Sequence, residues 1–334
     1  NSGTNLLSPG KTPESNLQFL TFLSVIIKAV NEYPGLLRAS IASASNDLRL
    51  GANEAPPSIM SVFIGSQLNH ILDEIARSAG VRKNERTMNE PVALNIPKIP
   101  EILLDNTDRN RTSPFAFTGD KFEFRAVGSS ESCAKPMIVL NLIVADQLKN
   151  FRMEVEKLLE AGLHREDAIY QTIRKFIRDS ERIRFDGNRY SDEWAEESAR
   201  RGLPNITDTP GALRAMIEPE SVHLYEQYGI LTEREIIARY DINLENYLKK
   251  VQIESRVIGD LSVNHIIQTA IRYQNTLIEN VKGLKEVLDN KTFVKLSNNQ
   301  MHNIKDISEH IAIIRTLVQE MVDARKVTNK LDTS

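Results

Sequence analysis

The sequence predicts an α+β fold, mixed in its first part and mainly helical in its second. Three observations lead there. KFEFRAV (121–127) alternates apolar and charged residues, the period of a half-buried strand, and 115–127 is the best strand segment in the chain. Residues 243–289 contain no proline and place apolar residues mostly three, four or seven apart, as a long helix with one buried stripe requires. Ile304, Ile307, Ile311, Ile314, Val318 and Met321 repeat that spacing, so two long helices in succession predict an antiparallel helical hairpin.

In chain order, Thr12-Pro13-Glu14 reads as a helix start, with Thr12 as N-cap and Pro13 in the first turn. That helix is expected to reach Glu32 and to stop at Pro34-Gly35. LLRASIASAS (36–45) leads into NDLRLGANEAPP (46–57), where Gly51 frees the backbone and Pro56-Pro57 stiffen the exit. Residues 58–79 read as a helix ending near Gly80, and the proline-containing stretch 83–100 as loop. Residues 137–159 and 166–179 are apolar-striped helices. The turn-rich segment 184–211 holds FDGNRYSDEW and the only tryptophan, Trp194, read as a core aromatic beneath that loop. The stripe after 243 is carried by Leu244, Leu248, Val251, Ile258, Leu261, Ala270, Leu277, Leu284 and Leu288, with Gly259 and Gly283 as points where the helix could bend.

The bulk numbers exclude several classes. With 334 residues, 41% hydrophobic and 26% charged, the chain can bury a sizeable core and is expected to form about two domains. A net charge of −3 gives no global attraction for nucleic acid or an acidic membrane. One cysteine, Cys133, rules out an internal disulfide framework and fits a reducing compartment. The longest apolar run, 17–30, contains Gln18, Thr21, Ser24 and Lys28 and is too short and too polar to span a bilayer. P-loop, HExxH, CxxC and GxSxG motifs are absent, and the six histidines are scattered.

Candidate chemistry concentrates in three places. In KFEFR (121–125) strand geometry puts Phe122 and Phe124 on one face and Lys121, Glu123 and Arg125 on the other, same-face neighbours lying about 7 Å apart. A carboxylate between two cations suits an anionic substrate accompanied by a divalent metal; it equally suits a solvated face with exposed ion pairs. DRNRTSPFAFTG (108–119) sets Arg109 and Arg111 before a Ser-Pro turn, a residue type that grips phosphate or carboxylate oxygens in pairs and is also common on loop surfaces. Glu54, between a flexible glycine and a rigid proline pair, fits either a mobile catalytic lid or a polar connection.

RLGANEAPP, NRTSPFAFTG, KFEFR, RYSDEW and the helix LENYLKKVQIESRVIGDLSVNHII occur here in one order. In that combination, over nearly its whole length, the chain resembles type III glutamine synthetase. The resemblance implies an α+β arrangement in which 1–150 form the C-terminal part of a catalytic domain, an antiparallel sheet with helices, and 151–334 a helical region specific to the type. It implies ATP-dependent ligation of ammonia to L-glutamate through γ-glutamyl phosphate, with Mg2+ or Mn2+, in a cytoplasmic homo-oligomer of stacked rings, a dodecamer in the full-length parent. Position by position, Glu54 matches the flap glutamate that helps deprotonate ammonium and Arg111 an arginine that stabilises phosphoryl transfer. Arg49, Gly51 and Arg125 fall at substrate-binding positions, Lys121 at a nucleotide-side position and Glu123 at a metal ligand.

Four positions depart from that pattern. Leu48 stands where the family has His, Asp120 where it has Asn, Gln268 where it has Pro, and Lys135 where it has a small or amide residue. The chain matches an internal piece of the family's sequence, without the N-terminal β-grasp-like domain and the remaining metal ligands, and by itself is expected to be inactive. Two further readings stand beside this one: a related ligase that joins glutamate to another amine, and a non-catalytic assembly or regulatory subunit.

Overall fold

The structure is a computed structural model that describes residues 3–52, 55–78, 112–187 and 192–328. Helix α1 (Leu17–Glu32) carries Phe19, Leu20, Leu23, Ile27 and Val30, all at most 1% exposed. Each buried side chain of this size is worth about 1.5–3 kcal/mol, which makes α1 the axis of the core. Its start differs from the expected one. Pro13–Ser15 form a single 3-10 turn, and the helix is capped by Asn16, whose side chain accepts from the Phe19 amide at 3.0 Å. An asparagine oxygen reaches the third amide as well as a threonine hydroxyl does, and Thr12 lies a turn too early.

Pro34-Gly35 does not only stop α1. It opens α2 (Pro34–Ser40), because proline is favoured at a first helical position. Ser43 then caps α3 (Ala44–Arg49), so the first part of NDLRLG is helical rather than loop. The helix expected over 58–79 is shorter: strand β1 (Val62–Phe63) precedes α4 (Ser66–Arg77), and Gly65, at φ 81°, marks the change. The strand expected over 115–127 divides into β2 (Phe115–Phe117) and β3 (Phe122–Phe124), joined by a turn through Gly119 at φ 102°. β2 and β3 pair antiparallel, as expected, while β1 adds to β2 in parallel, so the sheet is mixed. Asp186 of the turn-rich segment accepts from the Ile64 and Gly65 amides, and the Phe185 amide donates to Val62 O at 3.0 Å, running this segment along β1.

Helices α5 (Ala134–Glu160) and α6 (Arg165–Asp179) match the two striped segments. They pack on α1 and on each other, with Phe151 edge-on to Phe176 at 5.3 Å. The segment around Trp194 holds α7 (Asp192–Arg200); Trp194 is 1% exposed and stacks on Phe185 at 3.8 Å, a core aromatic as expected. Short helices α8 (Thr209–Leu213) and α9 (Pro219–Gln227) complete the packing beside α2 and α5.

Asp146 of α5 is a buried carboxylate held by neutral donors. It accepts from Tyr33 at 2.9 Å, Gln147 at 2.8 Å, Asn150 at 3.2 Å and Tyr228 at 3.2 Å. Four donors satisfy a carboxylate's lone pairs and tie the α1–α2 junction, α5 and the end of α9 together.

The chain forms two compact units, divided between Leu244 and Glu245 within α10 (Glu233–Leu261). In the second unit one π-helical turn, Ser262–Ile266, links α10 to α11 (Ile267–Val287), and α12 (Asn290–Thr328) returns antiparallel. Gln274 donates to Ile304 O and Ser308, Asn280 to Gln300, and Gly259 faces Met321. Of the expected stripe, Leu244, Leu248, Ala270, Leu277, Leu284 and Leu288 are half-buried, but the most deeply buried line runs through other positions around the π turn. Gly259, Ser262, Ile267 and Val281 are buried, whereas Val251, Ile258 and Leu261 are 40%, 58% and 45% exposed. The extra residue rotates the buried line by one position relative to a continuous α-helix. No helix among the described residues is long and apolar enough to cross a membrane.

Two outcomes follow from the Asp146 cluster. Asp146→Ala leaves four donors short of an acceptor and is expected to cost on the order of 3 kcal/mol, read by urea denaturation through Trp194 fluorescence. Burial, and then the neighbouring Asp146 carboxylate, push the Tyr33 hydroxyl up and that of Tyr228 up to about 12. Unfolded tyrosines ionise near pH 10, so the contribution is intact below that pH and is lost as pH rises towards 12. Tyr228→Phe should flatten that alkaline fall in stability; an unchanged alkaline limb would count against the cluster.

Candidate functional site

The β2–β3 hairpin separates aromatic from charged side chains. Phe115 stacks on Phe122 at 5.0 Å and meets Phe124 at 6.0 Å, Phe117 lies edge-on to Phe122 at 5.2 Å, and Phe19 of α1 closes on Phe117 at 5.9 Å. With the phenylalanines committed to that side, Lys121, Glu123 and Arg125 must emerge on the other. Arg125 donates through Nε and Nη2 to Glu123 Oε2 at 3.2 and 3.1 Å, and Lys121 Nζ lies 3.9 Å from Glu123 Oε1. The Arg125 side chain is 15% exposed, against 40% for Glu123 and 64% for Lys121, so only the arginine is held firmly. Its backbone helps: the Arg125 amide donates to Pro114 O at 2.8 Å, extending the ladder one residue beyond β3.

Arg49 arrives from α3 at the exit of the same strand. Its guanidinium donates to Asn46 Oδ1 at 3.2 Å, to Ala126 O at 3.3 Å and to Arg125 O at 3.2 Å. Gly51 follows in a turn at φ 80°, a backbone state that L side chains rarely adopt, and its amide donates to Pro56 O at 2.9 Å across the loop. Leu48 is 80% exposed and makes no demand on the core. Of the seven candidate residues, Lys121, Glu123 and Arg125 share one face of β3 and its flanks, Arg49 is fastened at the strand's exit, and Gly51 follows Arg49 in the loop. Glu54 and Arg111 lie outside the described residues, as does Arg109.

Asn46 is the residue that sequence reasoning missed. Fully buried, it donates to Ile41 O at 2.8 Å and to Ala126 O at 2.9 Å while its oxygen receives Arg49. It therefore ties α3 to the exit of β3 and turns the arginine. The available signal was its spacing, three residues before Arg49 and so one turn away on the same helical face.

Chemically, the arrangement can hold an anion. Arg125 and Lys121 flank one point from two directions, and the Arg125 fork can grip a planar carboxylate in place of Glu123. Metal binding is less complete. Among the described residues no three His, Cys, Asp or Glu side chains are grouped to hold an ion, so Glu123 could furnish one ligand of a set but not the set itself. Asn46→Ala should cost about 2 kcal/mol, because it leaves two carbonyls and a guanidinium short of partners. Thermal denaturation checks the cost, and faster amide exchange at Leu50 and Ala126 would locate it.

Residues 168–285 match the family described as the glutamine synthetase C-terminal domain. The chain is 48% identical to a glutamine synthetase of Bacteroides fragilis (strain YCH46) over 328 residues, 98% of this chain and 45% of that protein. It is 34% identical to the type-3 glutamine synthetase of Dictyostelium discoideum over 331 residues, covering 99% of this chain and 44% of the relative. A glutamine synthetase of Butyrivibrio fibrisolvens is 38% identical over 298 residues, 86% of this chain and 40% of its own length. The chain thus spans less than half the length of these relatives. The domain match begins beyond every candidate residue, whereas the pairwise similarity to the first two relatives extends along almost the whole chain.

Proposed function

Since the chain belongs to the glutamine synthetase family, we propose that it is part of a type III enzyme joining ammonia to L-glutamate at the expense of ATP. Residues 1–150 are assigned to the catalytic domain and 151–334 to the helical region used in assembly. The observation that carries the reading is the convergence of Arg125, Glu123 and Lys121 on one strand face, with Arg49 fastened at its end.

In this reading Arg125, released from Glu123, binds a carboxylate of glutamate, and Arg49 and Gly51 line the same substrate. Lys121, the most exposed of the three charged strand residues, faces the nucleotide. The γ-carboxylate oxygen attacks the γ-phosphorus of ATP and ADP leaves. Ammonia then attacks the γ-carbonyl carbon and phosphate leaves. Glu54 takes the proton of ammonium and Arg111 stabilises the transferring phosphoryl group, both roles resting on sequence alone. A bound divalent cation, Mg2+ or Mn2+, would supply charge neutralisation of phosphate oxygens, and Glu123 would give it one carboxylate. The other ligands would come from outside the described residues, and because the chain spans less than half the length of its relatives the isolated chain is expected to make no glutamine. In the same reading the full-length protein works in the cytoplasm as stacked rings of like subunits.

Activity assays on the full-length protein test this. Arg125→Lys removes the paired donors and should raise the KM for glutamate roughly 10- to 100-fold while leaving that for ATP near its starting value. Glu123→Gln should lower metal-dependent glutamine formation by roughly 10- to 100-fold. Unchanged activity in both variants would favour the non-catalytic subunit, and glutamine made by the isolated chain would remove the inactivity claim.

A further inference from the structure

Both ends of the 50–57 loop are fastened to one short stretch of chain far away in sequence. On the entry side, Asp47 of α3 accepts from the Thr209 amide at 2.9 Å and from its hydroxyl at 2.7 Å. On the exit side, Ser58 donates to Asn205 Oδ1 at 2.6 Å. Arg38 joins the two from beneath. It is 2% exposed, donates to Ile206 O at 2.9 Å and to Thr207 O at 3.5 Å, and lies 3.6 Å from Asp47 Oδ1. Burial pushes the guanidinium down and Asp47 pulls it back up, so the pair depends on its own geometry. Thr209 is 1% exposed, which leaves its hydroxyl no water to turn to.

We propose that segment 205–209, inside the stretch that matches the glutamine synthetase C-terminal domain, is a positioning element for the loop that follows Arg49. Asp47 and Ser58 lie on either side of that loop, and both hold to 205–209 through short polar bonds. With its ends pinned, the Gly51 to Pro56 cross-bond keeps a fixed span, and Arg49 keeps its place against the Arg125 and Ala126 carbonyls. Among the described residues Thr209 and Asn205 bond to Asp47 and Ser58 and to none of the proposed substrate or metal residues, so they act through Asp47 and Ser58. The C-terminal region thereby takes part in shaping the site as well as in packing.

Two measurements on the full-length protein decide the matter, and only the kinetic one rests on the proposed function. Thr209→Val keeps the shape and removes the hydroxyl donor; Asn205→Ala releases the exit side. Each is expected to speed amide exchange at Leu50, Gly51, Ala52 and Ala55 by roughly tenfold, and Thr209→Ser to restore the slow rate. In the ligase assay, Thr209→Val should raise the KM for glutamate roughly three- to tenfold with the KM for ATP unchanged. Exchange unaltered in both Thr209→Val and Asn205→Ala would overturn the proposal, as would a Ser variant that fails to rescue, or the two KM values rising together. A wild-type protein that forms no glutamine would refute the proposed function, while the exchange rates would still decide the positioning role.

Discussion

Six backbone positions in two strands determine where the charges of the candidate site can be. In the pairing of Phe115 with Phe124 and Phe117 with Phe122, four phenylalanines share one side of the hairpin, and Phe19 of α1 seals them. A slip of one residue would turn Glu123 into that aromatic layer, where an ionised carboxylate without partners is far costlier than any ion pair could offset. The register is therefore set by hydrophobic burial, and the polar face inherits its geometry from it. Arg49 depends on the same pairing, because the carbonyls it holds belong to the residues that follow the strand.

What could be read in the sequence followed from periodicity. KFEFR has two faces whatever surrounds it, so the convergence of Lys121, Glu123 and Arg125 was foreseeable from the alternation alone. Helices α5 and α6 were legible for the same reason, since their stripes are continuous. Residues 58–64 were misread because SIMSVFI is apolar at five of seven positions without a two-residue alternation, and a short buried strand and the first turns of a buried helix look alike without a period to separate them. Asn46 was overlooked for a different reason. Its three hydrogen bonds reach Ile41, Ala126 and Arg49, and only the last partner stands at a spacing that helical geometry reveals.

The first unit also shows how distant segments are held by buried, hydrogen-bonded polar groups rather than by ion pairs on the surface. Asp146 collects four donors from three helical segments, and Asn31 takes part in a similar junction by receiving Arg182 at 3.0 Å while donating to Asp179 O. Surface pairs such as Lys249 with Glu245 are closer in distance, at 2.6 Å, but lie in solvent where such contacts are weak. Burial decides which interactions specify the fold, and distance alone does not.

The π turn at Ser262–Ile266 has a consequence for the lineage of this helix. A single inserted residue, absorbed as one wide turn, lets two helical stretches keep separate contact lines without a break in the backbone ladder. Removing one residue there would restore the ordinary four-residue step between Ser262 and Ile267 in an unbroken α-helix, whereas winding the same number of residues without the wide turn would bring every side chain beyond it about 100° out of phase with its partners on α12. A gap of one residue at this place in a related sequence would therefore signal a plain α-helix with the same contact line, and a longer or shorter gap a differently packed hairpin.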